Sequence, residues 1–169
     1  GIYTSATKMM TMVMAITSSL SGVIMPRMSN LISEGNQEKF KVLAQKSYDF
    51  TIALTIPMAL GLAFTAPYLT MLLCGEQFVS SILPSMIISP IIIMVGLSGV
   101  MGMQILYPLG KINIVTKTCL IGAIADLIIC ILLIPSYSFI GCAIAYLCAE
   151  ISTTASQYAI GRKYLPLKF

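Results

Sequence analysis

Five apolar stretches, each long enough to cross a bilayer, divide this chain, and Lys and Arg occur only in every second connection between them. A membrane-crossing helix needs roughly 20 apolar residues, and segments near 3–25, 50–73, 82–106, 116–134 and 139–160 meet that length. Hydrocarbon offers no partner for backbone N–H and C=O groups, so each segment must satisfy them internally, as a helix does. The chain is therefore read as an all-α membrane protein, a polytopic bundle of about five transmembrane helices. Hydrophobic residues make up 57% of it and charged residues 9%, with a mean hydropathy of +0.93. Nearly all of the length is spent on spans, which leaves no room for an aqueous catalytic domain.

The first stretch has neither a charged n-region nor a cleavage site, so it is not a signal peptide. A start at Gly1-Ile2-Tyr3, directly on an apolar run, suggests a fragment of a longer protein. Pro26-Arg27 is expected to end the first helix, because proline disfavours continuation and Arg27 reaches lipid headgroups. Residues 29–47 form the only long polar connection. Asn36 is expected to cap a short interfacial helix there, with Phe40, Leu43 and Ala44 on one face and Lys39, Lys41 and Lys46 on the other. Pro57 and Pro67 in the second span, and Pro84 and Pro90 in the third, predict kinks. Gly96, Gly99 and Gly102 permit close helix approach. Pro135-Ser136-Tyr137-Ser138 reads as a tight turn between antiparallel neighbours, and Gly141, Ala145 and Ala149 make a small-residue seam on the second of them.

Arg27, Lys39, Lys41 and Lys46 flank the first connection, Lys111 and Lys117 the third, and Arg162, Lys163 and Lys168 follow the last span. The second and fourth connections hold no base. By the positive-inside rule this places the first and third connections and the C-terminus in the cytoplasm. The same topology accounts for the net charge of +4, and no basic patch interleaved with aromatics points to nucleic acid. Cys74, Cys119, Cys130, Cys142 and Cys148 lack metal-ligand or redox spacing. His is absent, which removes the commonest general base. The Met-rich first span reads as adaptable packing. No cofactor, metal site or enzymatic activity is expected.

Lys8, Asp126 and Glu150 remain inside spans. A central charge costs about 2.5–3.5 kcal/mol on insertion scales, so such groups pair, protonate or face water. At about 100° per residue, Thr4, Lys8, Thr11, Ala15, Ser18 and Gly22 share one stripe of the first span, opposite Met9, Val13, Ile16, Leu20 and Ile24. In the fifth span Ala143, Tyr146, Glu150, Thr153, Thr154 and Gln157 make a second stripe, and in the fourth Asp126 shares a face with Cys119, Gly122 and Cys130. Both stripes are expected to look inward and the apolar faces toward lipid. Lys8, with Thr4, Thr11 and Ser18, then lines a cavity for an anionic substrate, and Asp126 or Glu150 takes a coupling H⁺ or Na⁺. A buried Lys8–Glu150 or Lys8–Asp126 pair that only fixes helix register is the structural alternative.

The segments Tyr3-Thr4-Ser5-Ala6-Thr7-Lys8, Met25-Pro26-Arg27-Met28-Ser29, Gly75-Glu76-Gln77-Phe78, Gln104-Ile105-Leu106-Tyr107-Pro108-Leu109-Gly110-Lys111, Leu133-Ile134-Pro135 and Ala149-Glu150, in that order and spacing, resemble the Wzx-type polysaccharide flippases. Those belong to the multidrug/oligosaccharidyl-lipid/polysaccharide exporter superfamily. The resemblance implies a two-lobe transporter of the bacterial cytoplasmic membrane, with this chain forming most of one lobe and the N-terminal lobe lying elsewhere in the polypeptide. It implies alternating access around a hydrophilic cavity, and as cargo an oligosaccharide on undecaprenyl pyrophosphate. Lys8 and Glu150 match family positions; Asp126 stands where relatives more often have Asn, which points to lineage-specific ion use. A cation-coupled multidrug exporter of the same fold, and a structural membrane scaffold, are the alternatives.

Overall fold

A computed structural model of the protein describes residues 2–164; Gly1 and Lys168 of the readings above lie outside them. The described residues form helices α1 (Ile2–Ser33), α2 (Gln37–Cys74), α3 (Ile82–Ile88), α4 (Ile91–Gly99) and α5 (Ile112–Gly161), with no strand among them. A 3₁₀ segment, Glu76–Ser81, precedes α3, and a π-helical segment, Val100–Leu106, continues α4.

Three of these helices are long and apolar enough to cross a membrane, and the pair Gln77–Ile88 and Ile91–Leu106, bent by 47°, is long and apolar enough to be a fourth, broken span when taken together. The bend falls at Pro90, whose missing N–H and ring clash interrupt the helical ladder. α5 holds 50 residues, about 75 Å if straight, against about 30 Å of hydrocarbon. It does not run straight. At Ser138 the backbone takes φ 49° and ψ −123°, and the chain doubles back. A Cβ on Gly141 would lie 2.8 Å from the Leu133 carbonyl oxygen, and one on Gly122 would meet Thr153 and the Ala149 carbonyl. Contacts between residues so far apart in sequence require two antiparallel arms, 112–137 and 139–161, pressed together along glycine.

Two expectations change. Pro26 does not end the first helix but sits inside α1. Its ring removes the hydrogen bond to the Gly22 carbonyl and crowds it, a local cost that a membrane helix tolerates without ending. Nor do residues 37–47 form a separate interfacial helix. They are the opening turns of α2, capped by Asn36 Oδ1, which accepts from the Lys39 N–H at 3.2 Å. The apolar face foreseen there is real, but protein covers it: Phe40 and Ala44 are buried against Met28, Val100 and Ile105. α1 is 32 residues long, about 48 Å. That exceeds about 30 Å of hydrocarbon, and the charged residues Arg27, Glu34, Glu38, Lys39 and Lys41 fall in the last turns of α1, the following connection and the first turns of α2.

The core lies where α1, α2 and the broken span meet. Ala6, Met9 and Met10 of α1, Ala59 and Leu62 of α2, and Ile88, Ile91 and Ile92 at the break pack with Ala143 of the second α5 arm. Met9 and Met10 are buried there as packing groups.

Candidate functional site

The face of α1 that enters this core is set by Ala6, Met9, Met10, Thr17 and Met28, all buried. At about 100° per residue the polar stripe falls on the far side of the helix. Thr4, Lys8, Thr11, Ala15, Ser18 and Gly22 are all exposed. The expectation that this stripe looks into the bundle is thus corrected, and of the residues placed opposite it Met9 is buried while Val13, Leu20 and Ile24 are half-buried. The period was legible; which side faced protein depended on where α2 and the broken span dock. The hydroxyls on the stripe are quieted by their own helix: Thr11 Oγ1 donates to the Thr7 carbonyl at 2.8 Å and Ser18 Oγ to the Met14 carbonyl at 3.1 Å. Among the described residues Lys8 forms no ion pair, with Asp126, Glu150 or any other acid.

Toward its C-terminal half the stripe opens into a cavity of about 350 Å³ between α1 and the α4–π segment. Thr17, Ser18, Ser21 and Gly22 line one wall and Gly96 and Gly99 the other, with Met14, Met25 and Met103 also lining it. A Cβ on Gly22 would enter open space and one on Gly99 would lie 3.8 Å from Ser21 Oγ, whereas one on Gly96 would strike Thr55 of α2. The Thr17 hydroxyl is buried here without a hydrogen-bond partner.

Asp126 and Glu150 gather elsewhere. The antiparallel arms of α5 bring Asp126 and Cys130 from one side, and Cys142, Tyr146 and Glu150 from the other, into electrostatic contact, with Tyr3 of α1 alongside. Cys130 Sγ donates to Asp126 Oδ1 at 3.8 Å. Lys8 lies five residues beyond Tyr3, about 140° further round α1, and so points away from this cluster. Among the described residues the cluster thus brings together two acids, Asp126 and Glu150, and no base. No group of three potential metal ligands occurs among the described residues, and Cys119, Cys130, Cys142 and Cys148 are free thiols.

The second stripe does look inward. Ala143, Thr154 and Gln157 are buried and Tyr146, Glu150 and Thr153 half-buried. Thr154 Oγ1 donates to the Met94 carbonyl at 3.2 Å, and Ser98 Oγ donates to Gln157 Oε1 at 2.9 Å. Sequence reasoning passed over the neighbouring hub. Gln104, fully buried in the π-helical segment, accepts from Ser47 Oγ of α2 and donates through Nε2 to Ser21 Oγ of α1 at 3.0 Å. One amide thus ties three spans together. Its signal was an uncharged polar residue at membrane depth beside glycines, and π-helical turns often accompany functional sites.

At the end of the bundle reached by α1's last turn, the three basic segments meet. Ile32 and Gly35, Gln37, Phe40 and Lys41, Leu109, and Tyr164 line one cavity of about 270 Å³. The Lys111 ammonium sits 4.8 Å from the centre of the Tyr164 ring. Arg27, Lys39, Lys41, Lys46, Lys111, Lys117, Arg162 and Lys163 all belong to this end, against Glu34, Glu38 and Asp49.

Residues 2–169 match the family of the lipid II flippase MurJ. An uncharacterised membrane protein of Methanocaldococcus jannaschii is 29% identical over 126 residues, which is 75% of this chain and 25% of that relative. The chain thus spans about a quarter of the length of the curated relative it matches.

Proposed function

This chain belongs to the MurJ lipid II flippase family, a family of transporters and not of enzymes, and from that premise we propose that it is part of a flippase carrying a lipid-linked oligosaccharide across the cytoplasmic membrane by alternating access. The cargo of the proposal is a polysaccharide repeat unit on undecaprenyl pyrophosphate; the family's own name supplies lipid II as the cargo to test beside it.

The observation that carries the reading is the exposed stripe of α1. A lysine facing acyl chains at this depth costs about 2.5–3.5 kcal/mol, and Lys8 has no acid to offset that. The cost vanishes if the stripe borders water. In the proposal it faces an aqueous cavity shared with an N-terminal lobe of the same polypeptide. Lys8 attracts the anionic part of the cargo there, and Thr4, Thr11 and Ser18 form the hydroxylated wall along which sugars pass. Asp126 and Glu150, two acids without a base, take up the coupling H⁺ or Na⁺. The broken third span and the glycine-lined arms are suited to lobes that rearrange. The basic end lies in the cytoplasm, with the C-terminus, in a bacterial membrane.

The acid cluster also favours a second reading, a cation-coupled exporter of small molecules. Complementation separates the two. The full-length gene should restore surface glycan to a strain lacking its flippase for polysaccharide repeat units or for lipid II, and Lys8→Ala, Asp126→Asn and Glu150→Gln should each lower that restoration. Wild-type glycan in all three variants would overturn the assignment, and drug resistance without glycan rescue would favour the exporter.

A further inference from the structure

The cavity at the basic end is not needed by the translocation path, and its walls have a chemistry of their own. Ile32, Phe40 and Leu109 give it an apolar floor, while Lys41 and Tyr164 stand at its walls. Lys111 is held beside it by the Tyr164 ring. Gly35 turns the chain at the edge with φ +69° and no side chain to obstruct entry. The first connection, the third connection and the segment after α5 each contribute, so the site exists only in the folded bundle. Its position, among the charged turns of α1 and α2 and the basic segments that bound the spans, suits the headgroup band of the bilayer.

The geometry points to a binding site for one anionic glycerophospholipid, its phosphate between Lys41 and Lys111 and its glycerol and upper acyl carbons on Phe40, Ile32 and Leu109. Charge complementarity selects this occupant. A zwitterionic lipid presents its own cation to the same lysines, and a free phosphate leaves the apolar floor uncovered. Basic residues at a membrane surface favour anionic lipid by about fivefold per Lys or Arg. Here two of them are fixed at one cavity and not spread over a surface. Lys39 serves as the internal control, because it lies about 200° around α2 from Lys41 and does not line the cavity.

The test uses the protein in phosphatidylcholine nanodiscs doped with photoactivatable phosphatidylglycerol or, in parallel, photoactivatable phosphatidylcholine with the same chains. Phosphatidylglycerol should label the peptides bearing Ile32, Phe40 and Leu109 in preference to phosphatidylcholine. Lys41→Ala and Lys111→Ala should each reduce that adduct by about fivefold, and the pair together by more. Lys39→Ala should leave it unchanged, and Lys41→Arg should keep it. Leu109→Trp, which fills the floor without altering charge, should reduce it as well and serves if the double variant fails to fold. Equal labelling by both lipids overturns the proposal, as does a loss with Lys39→Ala equal to that with Lys41→Ala, which would mean diffuse surface charge. Displacement by inorganic phosphate would make this a soluble-anion site and overturn it too. None of these readouts depends on cargo, so the proposal stands or falls apart from the transport reading.

Discussion

The two polar stripes of this protein look alike as sequence and end in opposite surroundings. On the second arm of α5, Thr154 and Gln157 are buried and bonded to Met94 and Ser98 of the broken span. On α1, Thr4, Lys8, Thr11 and Ser18 are exposed. The second arm is flanked on two sides: its small-residue seam at Gly141, Ala145 and Ala149 lies against the first arm, and its polar side lies against α4. α1 is flanked on one side only, and the side it gives to the bundle is the one with Ala6, Met9 and Met10. A polar stripe on a central rod becomes an internal tie, whereas the same stripe on an edge rod is left for whatever the bundle borders. That difference separates a stripe bonded into the bundle from one left at its edge.

The comparison can be broken most forcefully at its seam. Gly141→Ala places a methyl 2.8 Å from the Leu133 carbonyl oxygen, and overpacking of this kind costs about 1–3 kcal/mol, seen as a lower midpoint in SDS-induced unfolding. Gly22→Ala on the α1 stripe meets nothing within 4 Å and should instead stabilise by about 0.5–1 kcal/mol, the ordinary helix gain over glycine. Replacing the tie, Gln157→Leu, strands the Ser98 hydroxyl, and Gln104→Leu strands those of Ser47 and Ser21. Each should lose about 1–3 kcal/mol, while Thr11→Val on the edge stripe stays within about 0.5 kcal/mol. If both stripes proved equally sensitive, the division drawn between them would be wrong.

Two smaller effects sharpen the picture. Ser138 is the one described non-glycine residue with positive φ, and left-handed geometry of this kind favours glycine. Ser138→Gly should therefore raise stability by up to about 1 kcal/mol without moving either arm. Lys8→Cys, in a background with the native cysteines replaced, should react with a membrane-impermeant maleimide in the full-length protein while scarcely altering its melting temperature. Failure to react would place the stripe against lipid or protein and remove the aqueous cavity from the proposal.

Much of the architecture could be read from residues alone, for definite reasons. Backbone polar groups cannot be left bare in hydrocarbon, so long apolar runs had to be helices. Asn36 as a cap follows from local chemistry that needs no distant partner, and so does a reversal near Pro135 to Ser138, although Pro135 stays inside α5 and only Ser138 leaves helical geometry. Pro26 misled because a membrane helix tolerates an interior proline, the freed backbone groups being satisfied by local adjustment, and the proline itself does not announce whether the helix continues. The interfacial helix misled for a related reason: an amphipathic face seeks any apolar surface, and Met28, Val100 and Ile105 supplied one nearer than the membrane. At the candidate site, Asp126 and Glu150 were each visible as costly acids. Their proximity depended on the register of the two α5 arms, which glycine contacts fix. Gln104 went unnoticed because an amide has no charge to flag it.

Hydropathy, period and base placement determined by themselves that this chain is helical, membrane-spanning and polar along particular lines. They could not determine direction, because a helix wheel has no inside until neighbours dock. Only tertiary packing decided that α1 turns its methionines inward and its lysine out, that the last fifty residues fold back at Ser138, and that three distant basic segments close around one cavity. Each of those outcomes depends on contacts between residues far apart in the chain, and the energy of such contacts is not written at any single position.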